Sequence, residues 1–184
     1  GTALSSVGIA IFLGLILGLI SGYLGGTVDN IILVILNSIQ AFPAVILALA
    51  VLSLLGPSLL NVILVIGLTW TPGYARVIRA QVLSVKENVY IEAGRSLGAT
   101  RQRMVLLHIL PNILAPLVIL LAMDLPVVIT FGAGLSFLGL GVPPPTPSWG
   151  SILADGFHFI RNSPWPITWS GITLMLTTLG FTLF

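Results

Sequence analysis

The side chains able to do chemistry are few and unevenly placed. The 184 residues hold seven Lys or Arg, five Asp or Glu, two His and no Cys. Asp124 is the one acid inside a long apolar stretch, Leu106 to about Leu138. A carboxylate at membrane depth is costly unless it faces protein or a wet cavity. It predicts either a residue lining a solute path, in contact with a cationic part of the cargo, or a structural carboxylate capped by a neighbouring helix or sitting at the outer interface. His108 and His158 are the candidate metal ligands. They fall on opposite sides of the same apolar stretch, too far apart to share an ion, so no metal site is expected.

Enzyme chemistry finds no foothold. No Gly-Lys-Ser loop is present to cradle phosphates. No Ser, His and acid are spaced for nucleophilic attack. Gly132-Ala-Gly134 lies in no strand–helix unit and is not a dinucleotide fingerprint. The absence of cysteine removes disulfides and thiolate chemistry. No cofactor is expected, and a formal charge of +2 gives no case for nucleic acid.

The elements that position these residues are apolar helices. Hydrophobic residues make up 57% of the chain and charged ones 7%, against about a quarter charged in soluble domains. The mean hydropathy is +1.13. Lipid, not water, can solvate such a surface. About 20 apolar residues cross a bilayer as a helix, and five runs qualify: Ala3 to Gly22, Ile31 to Leu55 interrupted at Pro43, Leu59 to about Ala75, Leu106 to about Leu138, and Pro166 to Phe184. The fourth is too long for one straight crossing and is expected to break at Pro111, Pro116 and Pro126. Continuous runs favour helices over a barrel. The expected fold is an all-α polytopic transmembrane bundle. Gly1 in place of Met, and an apolar C-terminus, predict a piece of a longer chain with a further span upstream.

Eight of the 12 charges cluster between Arg76 and Arg103: Arg76, Arg79, Lys86, Glu87, Glu92, Arg95, Arg101 and Arg103. Short basic loops stay in the cytoplasm, which orients everything else. Residues 23–30 and the C-terminus lie inside; Gly1, residues 55–59 and the Pro-rich stretch from Gly141 to Trp165 lie outside. Trp149, Trp165 and Trp169 stand near the ends of that stretch, where aromatic belts form. Gly14, Gly18, Gly22 and Gly26 share one helix face and invite a second helix to approach closely. That helix belongs either to this chain or to another transmembrane subunit.

The basic loop reads as two short helices with a turn near Gly98, where glycine tolerates positive φ. Glu92 suits a first helical turn, where a carboxylate meets the positive end of the dipole. Ala93 and Gly94 form a smooth patch, and Leu97 and Met104 offer apolar anchors. The residues alone leave two readings open: a surface that docks a partner, or a helix whose arginines bind anionic membrane lipid.

Glu92-Ala93-Gly94, then Gly98, then His108-Ile109-Leu110-Pro111 resembles the cytoplasmic loop of ABC importer permeases. Gly134-Leu-Ser-Phe-Leu-Gly-Leu-Gly-Val-Pro-Pro-Pro-Thr-Pro-Ser-Trp-Gly150, with Asp29 and Ala41-Phe-Pro43, is similar to the C-type subunit of the peptide and nickel branch of that family. The resemblance implies a single permease domain over 1–184, with a coupling loop at about 77–105 and an outer loop at about 141–165. It implies that Glu92, Ala93, Gly94, Leu97 and Gly98 engage a cytoplasmic ATPase. It further implies a prokaryotic inner-membrane location. The implied partners are a homologous permease subunit, two ATPase subunits that hydrolyse the ATP, and an extracytoplasmic binding protein for a peptide or related solute such as nickel. The chain departs from the family pattern at Val34 and Asn37, where an Arg and an Asp are common. Gly94 replaces a common Ala, and Gly132 a common Glu. An ion-driven transporter and a non-transporting membrane scaffold are the expectations of other classes.

Overall fold

The structure is a computed structural model that describes residues 1–183 apart from the side chain of Arg95. Phe184, the end of the fifth run, and the Arg95 side chain of the basic cluster lie outside the described residues. The chain is helical from end to end: α1 (Thr2–Leu24), α2 (Gly26–Gln40), α3 (Ala44–Leu55), α4 (Leu59–Lys86), α5 (Val89–Ser96), α6 (Arg101–Met104), a π-helical turn (Val105–Ile109), α7 (Leu110–Phe137), α8 (Trp149–His158) and α9 (Trp165–Leu183). Among the described residues there is no strand.

The core is the pairing of α1 with α4. A Cβ on Gly14 would stand 2.6 Å from the Cβ of Tyr74, one on Gly18 2.6 Å from the carbonyl of Ala75, and one on Gly22 2.8 Å from the Cβ of Val82. These glycines are absent side chains that let two backbones meet, as apolar helices in lipid require. Gly67 answers from α4, where a Cβ would meet Ile9 and the Ser6 carbonyl. The partner of the glycine face is therefore a helix of the same chain. Gly26 does not take part; it has φ +57° and open space around it, because it starts a new helix after the turn at Gly25.

Two expected boundaries move. The fourth run is not broken by its prolines: α7 continues through Pro116 and Pro126, and Pro111 sits in its first turn. A first-turn proline forfeits only an N–H that has no helical partner anyway, and interior prolines are tolerated in transmembrane helices where the freed groups are satisfied again. The third run does not end at Ala75. Helix α4 carries on to Lys86, so the first third of the expected loop is helix. Ile78, Val82 and Val85 keep burying an apolar stripe beneath the arginines.

The second run is more than interrupted. Helices α2 and α3 meet at 84° across residues 41–43. Pro43 supplies no N–H and holds φ −55°. By length and apolarity α1 and the unit Arg101–Phe137 each suffice to cross a membrane, and the bent pair α2–α3 makes a third. Helices α4 and α9 pack into the same bundle but are less apolar than those three. In α9, Thr168, Thr173, Thr177, Thr178 and Thr182 each return their hydroxyl to the carbonyl four residues back. Their polar groups therefore need no water. The Pro-rich stretch expected outside contains a helix, α8, after its prolines; Ser148 and Ser151 close a capping box at its start.

Candidate functional site

The chemistry-bearing side chains gather in three places: the surface helix α5, a polar clasp, and a cleft holding Asp124.

Helix α5 is held from below. Ile91 is wholly buried, and Gly94 lies against Met104, whose sulfur would stand 3.0 Å from a Cβ there. Met104 is buried. It is a support under the helix and not an exposed anchor, because it ends α6 just before the π-helical turn that leads back into the bundle. Gly94 likewise faces inward more than outward, which explains the missing methyl. Asn112 donates to the Tyr90 hydroxyl at 3.4 Å, and the Tyr90 and His108 rings stand 6.3 Å apart. These contacts fasten α5 to the start of α7. Gly98 ends the helix with φ +80°, and the Ala99 N–H closes back on the Gly94 carbonyl at 3.1 Å. This is the left-handed helix stop that glycine serves best.

The outward face of α5 is apolar. Val89 and Leu97 are 80% and 88% exposed, and Ala93 between them is also exposed. Positions 89, 93 and 97 are four residues apart and share one helix face. Glu92 is exposed beside them in the first turn. Val89 was not among the residues singled out from the sequence; the four-residue spacing was the signal that would have found it.

The clasp ties α1, α2 and α4 together near the same end. Arg79 donates to both Asp29 oxygens, at 2.6 and 2.5 Å, in the two-pronged geometry that guanidinium favours. Ser21 donates to the same carboxylate. Lys86 donates to the Tyr23 carbonyl at 3.0 Å, at the C-terminal end of α1, where cations are favoured. Arg76 donates to Asn37 at 2.7 Å, so Asn37 accepts as a neutral side chain. The sequence signalled Asp29 only through the resemblance; its partner, 50 residues away, had no local signal.

Asp124 lines an open cleft of about 570 Å³ with Gln40, Pro43, Thr69, Trp70 and Leu120. The cleft exists because α2 and α3 bend apart at Pro43, halfway along the second run. Trp70 is braced by Phe131, edge to face at 4.8 Å. The enclosed hydroxyl of Tyr74 neighbours the Asp124 carboxylate without a hydrogen bond of regular geometry. Asp124 forms no ion pair among the described residues. His108 and His158 remain apart, the first against Tyr90 and the second exposed at the end of α8.

Comparison with known proteins places this arrangement. The family profile described as binding-protein-dependent transport system inner membrane component matches residues 14–184. The chain is 38% identical over 172 residues to the dipeptide transport system permease protein DppC of Alkalihalophilus pseudofirmus, covering 94% of this chain and 57% of that one. It is 37% identical to the probable D,D-dipeptide transport system permease protein DdpC of Escherichia coli, covering 97% of this chain and 60% of that one. It thus spans little more than half the length of these relatives. Among solved structures, the MetNI methionine ABC transporter in an inward-facing conformation has a chain that matches with a TM-score of 0.71 at 21% identity, covering 99% of this chain and 88% of that one. A chain of an amino acid ABC transporter crystallised with histidines matches with a TM-score of 0.72 at 18% identity, covering 98% and 84%. These two share the fold.

Proposed function

Since the chain belongs to the binding-protein-dependent transport system inner membrane components, we propose that it is the permease subunit of an ATP-driven importer for peptides or a related small solute. The observation that carries this reading is α5, a short helix held rigidly from the bundle side that presents Val89, Ala93 and Leu97 outward. An apolar helix face with a rigid base suits a groove on another protein. A membrane-surface helix for anionic lipid would present its cations beside that apolar face; among the described side chains of α5 the exposed charge flanking it is the carboxylate of Glu92. The names of the relatives support a peptide cargo.

In this mechanism two cytoplasmic ATPase subunits receive α5 of this chain and of a homologous permease subunit. Closure of the ATPases on ATP pushes the apolar face. The push reaches α4 and α7 directly, because α5 follows α4 after two residues and is tied to α7 through Tyr90 and Asn112. The Asp29–Arg79 and Lys86–Tyr23 contacts pass it on to α1 and α2. The bundle then shifts between outward and inward states, driven by the difference in ATP affinity between them. A binding protein delivers the solute from outside, and the Asp124 cleft lines its path. The chain hydrolyses no ATP itself.

The test is co-purification and uptake. The tagged full-length subunit, expressed with its neighbours, should bring down two ATPase chains. Vesicles holding the complex and ATP should accumulate dipeptide with ionophores present. Uptake that collapses with the ionophore would identify an ion-driven transporter, and uptake indifferent to this subunit would leave only a scaffold.

A further inference from the structure

We propose that the Asp124 cleft is a binding site for a protonated primary amine, the ammonium group of the transported solute. The inference rests on the importer reading and specifies what its path recognises. The carboxylate is half-buried and lacks a cation among the described residues. The arginines that follow on α4 are committed elsewhere, Arg76 to Asn37 and Arg79 to Asp29. An uncompensated carboxylate at this depth is costly, and an arriving ammonium removes the cost.

The neighbours suit that ligand. Trp70 lines the same cleft and is fixed in place by Phe131; an indole is the best aromatic partner for a cation. Thr69 donates its own proton to the Val65 carbonyl at 2.7 Å, so its oxygen is left to accept. Gln40 also lines the cleft, and its side-chain amide has an oxygen able to accept. An ammonium has three protons to donate and no lone pair, and each of these groups can offer an acceptor or a π face. The Tyr74 hydroxyl neighbours the carboxylate but is buried and does not line the cleft, whereas Asp124 does.

The test uses the complete transporter without its binding protein, in vesicles of phosphatidylcholine and phosphatidylglycerol, which carry no lipid primary amine. Equilibrium binding of dialanine is compared with that of N-acetyl-dialanine. The expected preference for the free amine is roughly 10- to 100-fold, the worth of a charge-assisted hydrogen bond. Asp124→Asn should bring the ratio close to one, Asp124→Glu should keep most of it, and Gln40→Lys, which supplies an internal ammonium, should lower it without removing the carboxylate. A ratio unchanged in both Asp124→Asn and Gln40→Lys overturns the proposal. So does loss of the preference when phosphatidylethanolamine is added, which would assign the site to a lipid amine. ATP-driven uptake by the wild-type complex separates the two readings. Absent uptake with the amine preference intact refutes the importer alone, and normal uptake with unaltered ratios refutes the amine site alone.

Discussion

Gly98 is the position where the coupling reading makes its sharpest quantitative claim. Its φ is +80°, and no heavy atom lies within 4 Å of where a Cβ would stand. A substitution there meets backbone strain and no steric clash. Left-handed backbone costs an ordinary residue about 1–2 kcal/mol, a β-branched one up to about 3, and Asn less, since its side chain tolerates that region. The effect should therefore follow conformational tolerance, not size: Asn mildest, then Ala, then Val. A strain of about 2 kcal/mol shifts the balance between the stopped helix and an alternative turn by roughly 30-fold. The closing bond from Ala99 to Gly94, in an exposed turn, is too weak by itself to hold Val in place. Helix α5 would then end differently and misdirect Leu97. The assay is ATP hydrolysed per dipeptide imported in vesicles. Gly98→Val should raise that ratio several-fold, while Gly98→Asn stays near wild type. If Asn is as damaging as Val, the position matters through contact with a partner and the strain argument is wrong.

The α1–α4 pairing can be tested with two alanines. Gly18→Ala must push against the Ala75 carbonyl, whereas Gly8→Ala meets nothing within 4 Å; helix propensity cancels between them. Gly18→Ala should be less stable by about 1–3 kcal/mol, seen as a melting point lower by several degrees in detergent. Equal melting points would mean the helices do not meet there. Arg79→Leu should cost about 1–3 kcal/mol, because Asp29 keeps only Ser21 as a partner in a largely enclosed site. The double change with Asp29→Asn should recover most of that loss in the same melt, and a double variant no better than the single would show that the pair is not coupled.

Much of this protein was legible without coordinates. Membrane residence follows from 57% hydrophobic and 7% charged residues, since no folding can hide that much apolar surface from its solvent. The helical class follows because a chain in lipid must satisfy its backbone within each segment. The helix stop at Gly98 and the acidic first turn at Glu92 are local rules that read directly from residue types. Other features required the tertiary structure. Whether Pro116 and Pro126 break α7 depends on what surrounds the freed carbonyls, and propensity cannot see that. Met104 and Leu97 look alike as apolar anchors, yet Met104 is buried beneath α5 and Leu97 is exposed at its end. The pairing of Asp29 with Arg79 spans 50 residues and leaves no periodic trace. Asp124 could be singled out by its cost in lipid, but its cleft is made by the bend at Pro43 in a different helix. Local chemistry determines the elements and their ends. Which side chains share a space is set by how helices distant in sequence pack.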